Sequence, residues 1–168
     1  MKTLILVRHA KSSWNNDAPT DFERPLNNRG MRDAPEMAAR LVARGLLPDT
    51  VVSSSATRAL VTARLLLNGL ELNSRILHTT DSIYEAPVSA LLETIGGLND
   101  NDQTAMLIGH NPGMSSAANH LCSEAALQMP TCAMACLDLD IKKWAEIYKD
   151  CATLRFYDYP KNQTKPTR

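Results

Sequence analysis

The sequence predicts an α/β layered domain on a mostly parallel sheet with one antiparallel edge. Three observations lead there. Short apolar, β-rich runs alternate with longer segments whose apolar residues recur at helical spacing. Those runs stop abruptly: Leu4-Ile5-Leu6-Val7 gives way to Arg8-His9, and Met106-Leu107-Ile108 to Gly109-His110. Two further β-rich runs close the chain with no helix between them, as antiparallel neighbours do.

Thr3 to Val7 reads as a buried strand. Residues 11 to 29, with Pro19, Pro25 and Asn27-Asn28, read as a long loop, and loops of that length in compact domains are functional or disordered. Gly30 to Arg44 carries Met37 and Leu41 among alanines, which predicts a helix stopped by Gly45. Thr50 to Ser53 is a second strand, followed by a helix over Ala56 to Leu67 with Ser54 or Ser55 as its cap. Ser74 to His78 predicts a third strand, and Pro87 to Ile95 a helix with proline in its first turn. Thr104 to Ile108 is a buried strand and Met114 to Leu121 a helix. Ala133 to Ile141 and Trp144 to Phe156 form the antiparallel pair. Residues 1–159 are expected to make one domain, and the polar, proline-containing stretch 160–168 a disordered tail.

The totals exclude several classes. With 44% apolar and 21% charged residues, the chain has an ordinary globular composition. Eighteen basic residues balance eighteen acidic ones, so no overall field favours nucleic acid or an acidic membrane. No apolar run reaches spanning length, and the N-terminal run is too short for a signal-peptide core, so a cytoplasmic protein is expected. Cys122, Cys132, Cys136 and Cys151 lack zinc-type spacing and are expected to be free thiols. Nothing in the sequence specifies an oligomeric state.

In a parallel sheet the carboxyl ends of the strands share one rim, where α/β proteins bind ligands. Arg8-His9, the run Ser53-Ser54-Ser55 leading to Arg58, and Gly109-His110 place two arginines and two histidines there. That set suits a tetrahedral anion, of which phosphate is the commonest. Gly109 and Gly113 allow close backbone approach, and a helix start near Pro112 would add N–H donors. Met alone, an arginine at a strand end is more often solvated and a histidine more often structural; four together outweigh those readings.

These residues resemble the histidine phosphatase superfamily, which includes the cofactor-dependent phosphoglycerate mutases. The signature Arg-His-Gly-Glu-Ser-x-Trp-Asn fits Arg8-His9-Ala10-Lys11-Ser12-Ser13-Trp14-Asn15 in all but two defined positions, Ala10 replacing the glycine. Arg58 in SSSATRALVTA matches the second arginine, His110 in GHNPG the second histidine, and Glu85 in IYEAP falls where many members carry an acid. With DFERPLNNRG, the ordered set looks most like the SixA-type phosphohistidine phosphatases and spans residues 1 to about 140.

The resemblance implies a phosphoglycerate mutase-like three-layer sandwich. It implies that His9 is the nucleophile, forming a covalent phosphohistidine while its other nitrogen donates to a backbone carbonyl. Arg8, Arg58 and His110 would hold the phosphoryl oxygens, with Asn15 as a neutral donor and Glu85 as general acid and base. The clamp takes over the usual role of Mg²⁺, so no metal and no cofactor are expected. His9 must be neutral to attack and His110 works best charged; the nearby arginines are expected to depress both pKa values, bound phosphate to restore charge to His110, and activity to fall at acid pH as His9 becomes protonated. Lys11 and Arg24 read as solvated loop residues, and Trp14 as stacking on a substrate or covering the loop.

Mutases of the superfamily carry a long insertion between acid and second histidine; here the interval from Glu85 to His110 is short, which implies an open site. Openness favours hydrolysis over transfer and admits a phosphorylated histidine on a partner protein. The rivals are a phosphatase for a small phosphomonoester, which would depend on Glu85, and a non-catalytic module that binds phosphate or phosphohistidine.

Overall fold

The computed structural model describes residues 1–14 and 17–162. Six strands form one sheet: β1 (Lys2–Arg8), β2 (Thr50–Ser54), β3 (Leu77–Thr80), β4 (Thr104–Gly109), β5 (Met134–Leu139) and β6 (Ala152–Asp158), in the order β3-β2-β4-β1-β5-β6. The pairs β3-β2, β2-β4 and β4-β1 are parallel, whereas β1-β5 and β5-β6 are antiparallel. The inverted strand is therefore β5, one place in from the edge, and the edge strand β6 runs with the others.

Side chains alternate across a strand, so a strand covered on both faces must be apolar throughout. β1 meets that demand: Leu4 and Leu6 face one core, Ile5 and Val7 the other. β4 divides likewise, with Ala105 and Leu107 opposite Met106 and Ile108. The helices α1 (Asn28–Ala43) and α2 (Thr57–Gly69) cover one face through Met37, Leu41, Ala63 and Leu66. α3 (Val88–Gly96) and α4 (Gly113–Leu121) cover the other through Leu91, Ile95, Met114 and Leu121. The expected three layers are present.

Boundaries moved where local chemistry intervened. α1 starts at Asn28, because the Asn27 side chain accepts from the Gly30 N–H and caps it there. Gly45 ends the helix in left-handed backbone, φ +66°, as its residue type predicts. The Ser74 to His78 strand becomes a 3₁₀ turn, Ser74–Ile76, followed by β3. Trp144 belongs to no strand: it starts a 3₁₀ turn, is fully buried, and donates its indole N–H to the Asp102 carbonyl at 2.9 Å. Of the expected tail, Pro160–Asn162 is described, and Arg40 holds it through the Tyr159 and Pro160 carbonyls at 2.8 and 2.9 Å. The rest, 163–168, lies outside the described residues. The four thiols are free, and burial pushes those of Cys132 and Cys136 up to about 12, so they are inert at neutral pH.

One helical glycine has a positional reason. A Cβ at Gly30 would overlap the Lys11 carbonyl oxygen, so α1 lies directly against the backbone that leaves the β1 end. Gly30→Ala is expected to cost about 3 kcal/mol, because rigid backbone cannot yield as a side chain would. Urea denaturation checks this, and an unchanged midpoint would contradict the close packing.

Candidate active site

β1, β4 and β2 are neighbours running the same way, so their carboxyl ends meet on one rim. Arg8 is in register with Gly109, which sets His9 beside His110. Backbone bonds pin His9 on both sides: its N–H donates to the Gly109 carbonyl at 2.9 Å, and the Cys132 N–H bonds the His9 carbonyl at 3.0 Å. The two imidazoles lie 5.2 Å apart. Ala10, in place of the signature glycine, is fully buried, and its N–H bonds Thr62 Oγ1 at 3.0 Å.

His9 Nδ1 is 2.7 Å from the Ala10 carbonyl, which accepts only, so Nδ1 carries the proton and Nε2 keeps its lone pair. Burial pushes His9 down to about 3, against the pull of that hydrogen bond, and His110, Arg58 and Arg8 push the same way as burial. Burial and Arg58 push His110 down to about 4. His110 is therefore neutral at physiological pH in the free protein, as expected for a ring beside arginines with no phosphate bound, and burial adds to their effect. Ser54 Oγ lies 2.8 Å from His110 Nε2 and also accepts the Ala56 N–H at 3.2 Å, so one serine orients the ring and helps start α2.

Arg58, buried near the start of α2, is gripped by its tip. Its two terminal nitrogens donate to the Asp21 carbonyl and to Asp21 Oδ2, at 2.7 and 2.9 Å. Arg8 is held similarly, one terminal nitrogen donating to the Met129 carbonyl at 3.1 Å. Among the described residues, three buried side-chain polar atoms have no hydrogen-bond partner: Arg8 Nε, Arg58 Nε and His110 Nδ1. All three belong to this cluster. Buried donors are rarely left unpaired unless a ligand meets them.

Other expectations are redistributed. Glu85 is exposed, in left-handed backbone, and Tyr84 takes the inward place: its ring stands edge-on to His110 at 5.3 Å and its hydroxyl donates to Asp21 Oδ2 at 2.6 Å. Two of the N–H groups at the α4 start are consumed, Met114 by the His110 carbonyl and Ser115 by the Asn111 side chain. Arg24 is not solvated; it is buried, bonds Ser12 and Asp21, and stacks on Trp14 at 3.7 Å. Trp14 thus has its partner within the loop, while most of its surface stays exposed. Asn15 lies outside the described residues.

Asp21 and Tyr84 are the site residues that the sequence reading missed. Asp21 lies 37 positions before Arg58, and no periodicity announces that a loop folds back that far. The available signals were Asp21-x-x-Arg24, a short-range pair of opposite charge, and the places of Asp21 and Tyr84 within DFERPLNNRG and IYEAP.

Residues 4–85 match the model of the histidine phosphatase superfamily, branch 1. An uncharacterised chloroplastic protein of Arabidopsis thaliana is 34% identical over 158 residues, covering 88% of this chain and 71% of that protein. An uncharacterised protein of Mycobacterium tuberculosis is 32% identical over 165 residues, covering 92% of this chain and all of that one. The chain belongs to the histidine phosphatase superfamily. A solved structure from Agrobacterium tumefaciens, assigned as a phosphohistidine phosphatase, SixA, superposes with a TM-score of 0.79 at 28% identity, over 95% of this chain and 98% of that one. The protein is accordingly a phosphatase of this superfamily with its phosphoglycerate mutase-like fold, acting on a phosphorylated substrate.

The depressed histidine pKa values set the pH dependence of a histidine phosphatase built this way. A neutral nucleophile is lost only as pH falls through its folded value, so the acid limb of kcat/KM moves far below the ordinary 6.5. After correction for the ionisation of the substrate, kcat/KM is expected to stay level down to about pH 5. A limb centred near 6.5 would contradict the burial of both rings.

Proposed function

We propose that this histidine phosphatase removes the phosphoryl group from a phosphorylated histidine on a partner protein. The observation that carries the reading is the set of three unpartnered buried nitrogens, Arg8 Nε, Arg58 Nε and His110 Nδ1, beside a neutral His9 whose Nε2 lone pair is free. They supply donors for the equatorial oxygens of a phosphoryl group and a nucleophile for its phosphorus. A Ser54 hydroxyl donating to His110 Nε2 selects the tautomer in which Nδ1 carries the proton toward the anion.

In the first step His9 Nε2 attacks phosphorus, the P–N bond to the substrate imidazole breaks, and that nitrogen takes a proton from solvent. Water then attacks the phosphohistidine, the bond to His9 breaks, and orthophosphate leaves as the water proton passes to solvent. An imidazole departs more easily than an alkoxide, so an exposed Glu85 suffices as a rim acid or is dispensable. The interval from Glu85 to His110 is occupied by α3 and β4, elements of the sandwich itself. Beside Arg8 a groove of about 640 Å³ runs past Asn111, Ser115 and Asn119 to Gln128 and Pro130. That room suits the chain around a phosphorylated side chain.

The test is phosphate release from a phosphohistidine-bearing phosphotransfer domain and, separately, from p-nitrophenyl phosphate. Fast release from the protein with slow ester turnover supports the reading. Fast ester turnover with an inert phosphoprotein would replace it by a small-molecule phosphatase.

A further inference from the structure

Asp21 places a carboxylate where a phosphoryl site would be expected to hold only cations. It is tied from three sides. Arg58 donates to its Oδ2 and carbonyl, Arg24 to Oδ1 at 3.2 Å, and the Tyr84 hydroxyl to Oδ2. Phe22, the next residue, stands edge-on to Tyr84 at 5.2 Å, and Tyr84 stands edge-on to His110. Asp21 is thus built into the wall beside the second histidine rather than hanging over it.

Two consequences follow from this geometry. First, the Asp21 grip uses the tip of the guanidinium, and the Nε edge of Arg58 is the one without a partner. Asp21 therefore aims Arg58 instead of blocking it. Second, Asp21 changes the charge count. Arg58, Asp21, Arg24 and Arg8 are among the charges that bear on His110. Among these four, the Asp21 carboxylate offsets one of three guanidinium charges, leaving two to balance a phosphoryl dianion. Among the described residues, Lys11 forms no ion pair with this group. Glu85, exposed beside Tyr84, adds negative charge at the rim. A carboxylate or second phosphate on the leaving group would find Arg58 and Arg24 already paired with Asp21 and would meet the Glu85 carboxylate at the rim.

Resting on the reading of the cluster as a phosphoryl site, we propose that Asp21 sets its substrate class. By aiming Arg58 and cancelling one guanidinium charge, it restricts the clamp to phosphoryl groups whose leaving group carries no negative charge. An imidazole, neutral or protonated, meets that condition; a glycerate, a serine carboxylate or a second phosphate does not.

The experiment compares phenyl phosphate with 4-carboxyphenyl phosphate, two esters that differ by one remote carboxylate. The wild-type protein is expected to prefer the neutral leaving group by about tenfold in kcat/KM, the effect of a like charge a few ångströms away near a surface. Asp21→Asn keeps the shape of the side chain and is expected to reduce that preference to about twofold, whatever it does to the absolute rates. Tyr84→Phe removes a hydrogen bond to the carboxylate but not its charge, and is expected to keep the preference. Should Asp21→Asn not fold, the wild-type preference must still shrink as salt is raised, because it is Coulombic.

A purely positioning role would lower both rates equally in Asp21→Asn and leave the ratio unchanged, which overturns the proposal. So does a wild-type protein indifferent to the carboxylate. Turnover of neither ester, together with no phosphate release from a phosphohistidine-bearing domain, would instead remove the phosphoryl-site reading, and the proposal with it.

Discussion

Replacement of His9 by alanine is expected to lower turnover of every phosphoryl substrate by roughly 10⁴-fold or more while leaving phosphate binding within about threefold. The expectation follows from what His9 does and does not hold. Its imidazole is the one ring nitrogen nucleophile in the cluster with a free lone pair, whereas its fold contacts run through the backbone to Gly109 and Cys132. Alanine removes the nucleophile and keeps those bonds. The three unpartnered donors all belong to other residues, so the anion clamp survives. Rapid-quench kinetics alongside calorimetric titration with orthophosphate checks both halves. Wild-type turnover in His9→Ala would move the chemistry to another group.

The second large effect concerns Arg58. Arg58→Ala is expected to lower kcat/KM by about 10³-fold, in line with the loss of a preorganised donor at developing charge. It also releases Asp21, whose carboxyl is held down to about 2 by the Tyr84 hydroxyl and, over the opposing effect of burial, by Arg58 and Arg24. Arg58→Lys is not a rescue. An ammonium cannot reach Asp21 with one edge and the anion with another, so a loss of at least about 10²-fold is expected there too. Near wild-type kcat/KM in Arg58→Lys would show that simple positive charge suffices and that the fork geometry is incidental. The measurement is steady-state kinetics on one substrate, with urea midpoints to confirm that both variants are folded.

How much of this was readable before any coordinates depends on the distance over which each contact forms. The strands were legible because burial on both faces demands unbroken apolar runs, as in β1 and β4. The rim residues were legible for a related reason. Arg8, His9 and His110 interrupt those runs at the ends, where adjacency in sequence fixes position in space. Arg58 followed because α2 begins directly after β2. The loop was different. Asp21 and Tyr84 reach the site through side-chain bonds to residues 37 and 63 positions away, and neither propensity nor period encodes which polar residue turns inward. Glu85 was singled out because the family resemblance places an acid there, while the chain sets Tyr84 against His110 and leaves Glu85 exposed. The N–H groups at the start of α4 illustrate a third limit. A helix start supplies donors in general, but Asn111, lying in the same short motif, consumes one of them locally.

The account stands on His9 as the atom that takes the phosphoryl group. The most direct measurement is ³¹P NMR, with peptide mapping, of the protein quenched in alkali during turnover of a phosphohistidine-bearing domain. The predicted result is an acid-labile, alkali-stable phosphoramidate on Nε2 of His9, absent in His9→Ala. Phosphate release from the partner without any phosphorylated His9, or with the label on another residue, would contradict it.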